Sequence, residues 1–465
     1  MMTESAAAPL SGVESLGAFP VDFRWGLATA AYQIEGAATE GGRGPSIWDT
    51  FSHTPGLSHN GDTGDIACDH YHRWESDFDL LASLGVKHYR LSVSWSRLQP
   101  SGRGPLNPAA VEFYSAQLAR LAARGIRPLV TLYHWDLPQP LEDAGGWPVR
   151  ETAYRFAEYA RLVVGELGHL ATDWITLNEA WCSSFLGYGR GAHAPGRTDY
   201  RAAVAAAHHL NLGHGLAVSA IRGVSGDARV GITNIVTDIV AASDSPEDAA
   251  AARRLDASSN RVFLDPVYLG EYSAAVWETL GPLGLGDVVL DGDLAIIAAS
   301  TDFAGINHYQ RVIASSDPGQ PFGVLEVPAE PATTSFGWSV IPASLTAVLT
   351  RVSREFTSLP LYVTENGASY HDYVDPNGDV IDSERIDYFR GYLSAAAVAI
   401  EAGVDLRGYY AWSFLDNFEW AEGYSKRFGL VYVDYRTQER IPKSSAHWYR
   451  RLISEHQAVV ADTTA

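Results

Sequence analysis

Cysteine is nearly absent from this 465-residue chain: only Cys68 and Cys182 occur, too few for a disulfide framework. Two free buried thiols are expected, in keeping with a reducing compartment. Long apolar runs are missing as well. Nothing approaches the ~18 residues that a membrane-spanning helix needs. There is no Asn-x-Ser/Thr acceptor, and Met1 to Gly12 contains no basic stretch followed by an apolar run. The expectation is a soluble, cytoplasmic protein with no membrane partner. Basic residues are scarce, with 34 Lys and Arg against 55 Asp and Glu, a net charge of -21. Such a surface repels nucleic acid and anionic lipid and disfavours strongly anionic substrates. Phosphate-binding loops are absent too. Gly26 stands alone after the first strand pattern, with no Gly-x-Gly-x-x-Gly. Gly41-Gly42-Arg43-Gly44 lacks the Gly-Lys-Ser/Thr of a nucleotide loop.

What the chain does have is apolar bulk and aromatic rings. Hydrophobic residues make up 46%, enough for a large core, and there are 13 Trp and 23 Tyr. Such rings fill cores and also form the flat platforms on which sugar faces pack. Short β-branched and aromatic runs recur at Phe23–Thr29, His88–Trp95, Pro128–His134, Trp174–Asn178, Val230–Ile235, Phe303–His308, Leu361–Thr364 and Gly408–Ser413. Several are continuously apolar, as strands covered on both faces should be. Helical spacing separates them. Pro108 is well placed to open one helix, and Gly85 and Gly125 to close two. Further helices are expected at Tyr154–Leu167, Ala202–Ile221, Ala249–Phe263, Pro342–Glu355, Ser383–Ala402 and Ser445–Ser454.

Eight strand–helix units suit a single closed (β/α)8 barrel, a TIM barrel with long βα loops, better than a doubly wound open sheet. Residues 1–17 and 456–465 are expected to fray, leaving 18–455 as one catalytic domain. Active sites of such barrels form at the C-terminal strand ends. Polar residues gather there: Gln33 and Glu35, Arg90, His134 and Asp136, Asn178-Glu179, Asn307 and Tyr309, Glu365-Asn366, and Asp416 to Trp420. Glu179 and Glu365 end the fourth and seventh strands, which face each other across an eight-stranded barrel. Glycoside hydrolysis needs such a pair, a proton donor and a carboxylate that meets the oxocarbenium-like centre.

Seven motifs in order make the chain similar to glycoside hydrolase family 1, of bacterial β-glucosidase type, from about Phe19 to Tyr449. They are Phe23–Gly36, Tyr89–Trp95, Tyr133–Pro138, Thr176–Glu179, Gly305–Tyr309, Val363–Gly367 and Ala411–Trp420. The resemblance implies Glu179 as acid/base and Glu365 as nucleophile of a retaining double displacement. It implies Gln33, His134, Asn178, Glu419 and Trp420 as holders of the sugar hydroxyls, with Trp412 beneath the ring. Arg90, Asn307 and Tyr309 would surround the nucleophile, and Trp338 would wall the leaving-group side. Glu419, together with Phe428 where phosphoglycosidases carry Tyr, points to unphosphorylated β-glucosides, with β-galactosides and β-fucosides also accepted. The chain departs from the family pattern at Ala180, usually Pro, and at His308, where Tyr is common. No metal or cofactor is needed, and a homo-oligomer is left open. His70-x-His72 and His208-His209 are read as structural. A barrel that binds sugars without cleaving them, and a transglycosylase, are the alternatives.

Overall fold

The computed structural model describes residues 12–13, 16–330 and 333–464. Eight parallel strands close into a barrel in chain order: β1 Arg24–Ala28, β2 His88–Ser92, β3 Arg127–Tyr133, β4 Asp173–Asn178, β5 Arg229–Ile235, β6 Phe303–Asn307, β7 Leu361–Asn366 and β8 Leu406–Trp412. The principal helices behind them are α1 His70–Ser83, α2 Pro108–Ala123, α3 Glu151–Leu167, α4 Tyr200–Arg222, α5 Pro246–Asp256, α6 Ala343–Glu355, α7 Ser383–Glu401 and α8 Ser444–Thr464. The strands are apolar because helices cover one face and the barrel interior the other. β4 and β7 are buried along their whole length. Asn107 and Pro108 open α2, and Gly85 and Gly125 follow α1 and α2 in the left-handed conformation expected of them.

The interior below the active end is packed by Leu129, Ile175, Phe303, Tyr362 and Tyr410. These rings fit because neighbouring strands give up side chains. An added Cβ would lie 2.3 Å from the Tyr410 ring at Gly26 and 2.4 Å from the Phe303 ring at Gly231. Higher up, the sheet register slips by one residue. β4 carries an extra residue between Ile175 and Asn178 against β5, and β7 one between Val363 and Glu365 against β6. Such bulges re-aim the side chains that follow, and here those are Asn178 and Glu365.

The long loops carry structure that the strand–helix pattern does not reveal. Asp238–Ala241, Arg311–Ser316 and Val324–Pro328 form a three-stranded sheet on the rim. Trp95 is not the end of a strand: β2 stops at Ser92, and Ser94 caps a short helix, Trp95–Leu98. The segment expected to fray, 456–465, includes the last turns of α8, which runs to Thr464; in it, buried His456 accepts from Trp25 Nε1 at 3.2 Å and contacts the Phe19 carbonyl at 3.3 Å. At the other end, residues 1–11, 14 and 15 lie outside the described residues, while Val13 and Leu16 are buried in the core. No described helix is long and apolar enough to cross a membrane.

Beneath the loop that follows β8 lies a buried ionic cluster. Lys443 Nζ bonds Asp372 at 2.6 Å and Asp416 at 2.7 Å. Arg385 pairs with Asp372 at 2.7 Å and also with Asp382, and Arg427 reaches Asp416 at 2.7 Å. Three cations and three carboxylates therefore balance, fastening that loop to α7 and to the start of α8. Removing one member strands charge in a dry interior. Lys443→Met is expected to lower the free energy of unfolding by about 3–5 kcal/mol, read from urea denaturation at neutral pH.

Candidate active site

At the C-terminal end of the barrel a cavity of about 270 Å³ opens. Glu179 and Glu365 both line it, as do His134, Tyr309, Trp338, Trp412, Glu419, Trp420 and Phe428. Gln33, Arg90, Asn178 and Asn307 are fully buried immediately behind it. These thirteen side chains belong to one assembly. Of the other polar residues gathered at the strand ends, Glu35 instead bonds Arg97 and Tyr114, Asn366 bonds Tyr388 and Tyr409, and Asp416 belongs to the Lys443 cluster.

Its centre is Arg90 on β2. The guanidinium donates through Nη1 to Glu365 Oε1 and, at 3.1 Å, to the Thr364 carbonyl, and through Nη2 to Asn178 Oδ1 at 2.6 Å. Tyr309 donates to the other Glu365 oxygen at 2.6 Å. Burial and the Glu365 charge push the Tyr309 phenol well above its ordinary pKa, so it stays a donor. Asn307 Nδ2 bonds Asn178 Oδ1 at 3.0 Å and Glu179 Oε1 at 2.6 Å. Asn178 Nδ2 lies 3.1 Å from His134 Nε2. Burial, and then Arg90, push the His134 pKa well down, so the ring is neutral, accepts at Nε2 and carries its proton on Nδ1.

Three carboxyls share this cavity, and their surroundings separate them. Glu365 has a buried cation and a phenol. Glu179 has neither. Burial, and then the Glu365 charge, raise its pKa to about 8. Glu419 is raised to about 8 for the same reasons, in the same order. Gln33 Nε2 contacts Glu419 Oε2 at 3.3 Å and is anchored to Asn417 and the Phe418 carbonyl, while its buried Oε1 has no partner among the described residues. The imidazole of His134 lies parallel to both Trp412 and Trp420, with centroids 5.9 Å away in each case. Towards the mouth, Trp338 stacks on Phe336 at 4.3 Å and meets Tyr309 at 5.3 Å. The backbone is left-handed at Trp135 (φ 76°), Glu179 (φ 47°) and Trp420 (φ 52°), a strain that non-glycine residues bear mainly at functional sites.

The two departures from the family pattern have local explanations. Ala180 is buried, and Glu179 is held by other means: its N–H donates to the Thr233 carbonyl at 2.9 Å, and its carboxyl meets Asn307 and Cys182. His308 points away from the cavity, to the Val236 carbonyl at 2.8 Å and Ser344 Oγ at 2.7 Å. His70 pairs with Asp77, and His72 with Asp69 and Glu40. His208 binds Tyr272 and Asp293, and His209 the Trp147 carbonyl. Trp135, Trp181, Cys182 and His193 also line the cavity and were not foreseen. Cys182 had a usable signal, its place three residues after Glu179, one turn along.

A closed parallel barrel with two carboxyls at opposed strand ends defines a class, the barrel glycosidases. The family model for glycosyl hydrolase family 1 matches residues 15–458, and the chain belongs to that family. It is 47% identical over 462 residues to a bifunctional β-D-glucosidase/β-D-fucosidase of Bifidobacterium breve, covering 95% of this chain and 99% of that one. It is 44% identical over 439 residues to β-glucosidase A of Thermotoga maritima, covering 94% and 98%. Among solved structures, the psychrophilic β-glucosidase of Micrococcus antarcticus superposes with a TM-score of 0.92 at 45% identity, covering 96% of this chain and 99% of that one.

Asn178 is the acceptor that joins Arg90 to Asn307. Asn178→Ala should lower kcat on an aryl β-glycoside by on the order of 10²–10³ while changing KM less. Steady-state kinetics in which KM carried the loss would contradict this placement.

Proposed function

We propose that the protein is a retaining β-glycosidase that releases terminal, non-reducing β-D-glucosyl residues from small glycosides and cello-oligosaccharides. One observation carries the reading: a buried carboxyl with a raised pKa, Glu179, shares a cavity with a guanidinium-paired carboxylate, Glu365. In the first step a Glu365 oxygen bonds the anomeric carbon as the glycosidic C–O bond breaks, and Glu179 passes its proton to the leaving oxygen. In the second, Glu179 takes a proton from water, whose oxygen displaces Glu365. Two displacements keep the β configuration.

Gln33, His134, Asn178, Glu419 and Trp420 hold the sugar hydroxyls, and Gln33 Oε1 is an acceptor still in want of a donor. Trp412 underlies the ring. Trp338 and Phe336 flank the aglycone. The described residues that line the cavity include no Lys or Arg to neutralise a phosphate, which disfavours a phosphorylated sugar. β-Fucosides and β-galactosides are proposed as further substrates. The name of the Bifidobacterium relative supports the former, and a Thermotoga β-glucosidase solved in complex with galacto-hydroximolactam supports the latter. Two buried free cysteines suit a reducing, cytoplasmic setting.

Proton NMR of p-nitrophenyl β-D-glucoside hydrolysis should show β-glucose first, and a 2-deoxy-2-fluoro-β-D-glucosyl fluoride should label the peptide containing Glu365. Initial α-anomer, or label on another peptide, would refute the mechanism. Because Glu179 acts as an acid only while protonated, kcat/KM should fall as pH rises through about 8. A plateau extending well beyond that pH would contradict the assignment.

A further inference from the structure

The acid/base of the proposed reaction must be neutral in one step and charged in the next, so its surroundings have to serve both states. Glu179 Oε1 accepts from Asn307 Nδ2 at 2.6 Å. That amide cannot turn over, since its Oδ1 accepts from Thr364 at 2.7 Å and its Nδ2 is shared with Asn178 at 3.0 Å. Oε1 therefore accepts in both states, which favours the other oxygen, Oε2, as the carrier of the transferable proton. Among the described residues, the hydrogen bond at Oε2 comes from the Cys182 thiol, with Sγ at 3.1 Å. Cys182 is buried, lines the cavity, and also bonds the Glu179 carbonyl through its own N–H at 2.9 Å.

We propose that Cys182 is a positioning residue for the acid/base: its thiol holds Oε2, the oxygen that carries the transferred proton, donating when Glu179 is a carboxylate and yielding when it is protonated. This rests on the assignment of Glu179 above. A thiol is a weak donor and a weak acceptor, so it follows the change of state at little cost. A hydroxyl would favour the anion more strongly, and a methyl would favour neither state. Burial, and then the neighbouring Glu179, hold the Cys182 thiol well above its ordinary pKa, so it does not compete as a base or nucleophile. The other charged or titratable groups around Glu179 are Glu365 on β7, Arg90 on β2, Glu419 after β8, Tyr309 after β6, Arg190 beyond Cys182 and neutral His134. None of them bonds Oε2.

The test is the pH profile of kcat/KM on p-nitrophenyl β-D-glucoside for Cys182→Ala and Cys182→Ser, with Glu179→Gln as control. Loss of the donor favours the neutral acid, so Cys182→Ala should move the basic limb upward by on the order of 0.5–1 pH unit. Cys182→Ser, with a stronger donor, should lie below Cys182→Ala. A structural role alone would not move the limb. A second readout, normalised to active sites by burst titration, compares leaving groups. Both variants should keep the parent rate for first-step release of 2,4-dinitrophenol, which needs no acid, and should lose rate on cellobiose. A Cys182→Ala limb that superimposes on the parent limb, a Cys182→Ser limb that matches that of Cys182→Ala, or equal losses on both substrates would overturn the proposal. Glu179→Gln separates the two levels: if it abolishes the basic limb, the acid assignment stands and only the role of Cys182 is in question. If the limb persists, the assignment itself falls.

Discussion

One buried guanidinium organises the catalytic end of this barrel. Three carboxyls, Glu179, Glu365 and Glu419, are buried side by side in the lining of one small cavity. Like charges so placed raise one another's pKa, as at Glu179 and Glu419, and Arg90 pairs with the third carboxyl, Glu365. The same guanidinium draws the Asn178 oxygen to itself, and Asn178 in turn orients Asn307 and His134. The difference in surroundings between two chemically identical side chains thus follows from where a single cation points.

That cation is useful only if the carboxyls meet it, and the backbone is bent to bring this about. Single-residue slips in β4 and β7 turn Asn178 and Glu365 inward. Left-handed conformations at Trp135, Glu179 and Trp420 turn the loops over the cavity. Such local cost is sustained by what surrounds it. The Lys443 and Arg385 cluster pins the segment after β8 from below, and Tyr32, Trp48 and Trp135 pack around Trp420 from the side, with centroids 4.5–5.9 Å away.

All eight barrel strands were legible in the sequence because burial on both faces leaves short runs rich in β-branched and aromatic residues, a signal carried within each segment. The site was legible for a related reason. In a parallel barrel every strand end faces the same mouth, so a polar residue following an apolar run declares its position. What escaped depends on pairing between distant segments. The rim strand Asp238–Ala241 is half-buried throughout and shows no alternation, and its partner Arg311–Ser316 alternates only over its first few residues. Within α8, His456 bonds Trp25 and the Phe19 carbonyl, more than 400 positions away in the chain. His308 sits within a site motif yet turns outward to Ser344, a choice made by α6.

The crowding of acidic groups around Arg90 bears on what the empty pocket attracts. With one guanidinium set against three carboxyls, the hollow can shed up to two further protons to a newcomer that brings positive charge of its own. A ring amine of sugar shape could enter neutral, collect a proton from Glu179 or Glu419, and stay as an ammonium clasped by the anion it had created. Thermotoga β-glucosidases have been solved with nitrogen-containing rings of this kind, among them deoxynojirimycin and castanospermine. On the mechanism proposed above, a hollow shaped for a fleeting carbocation would also hold a lasting cation of the same outline.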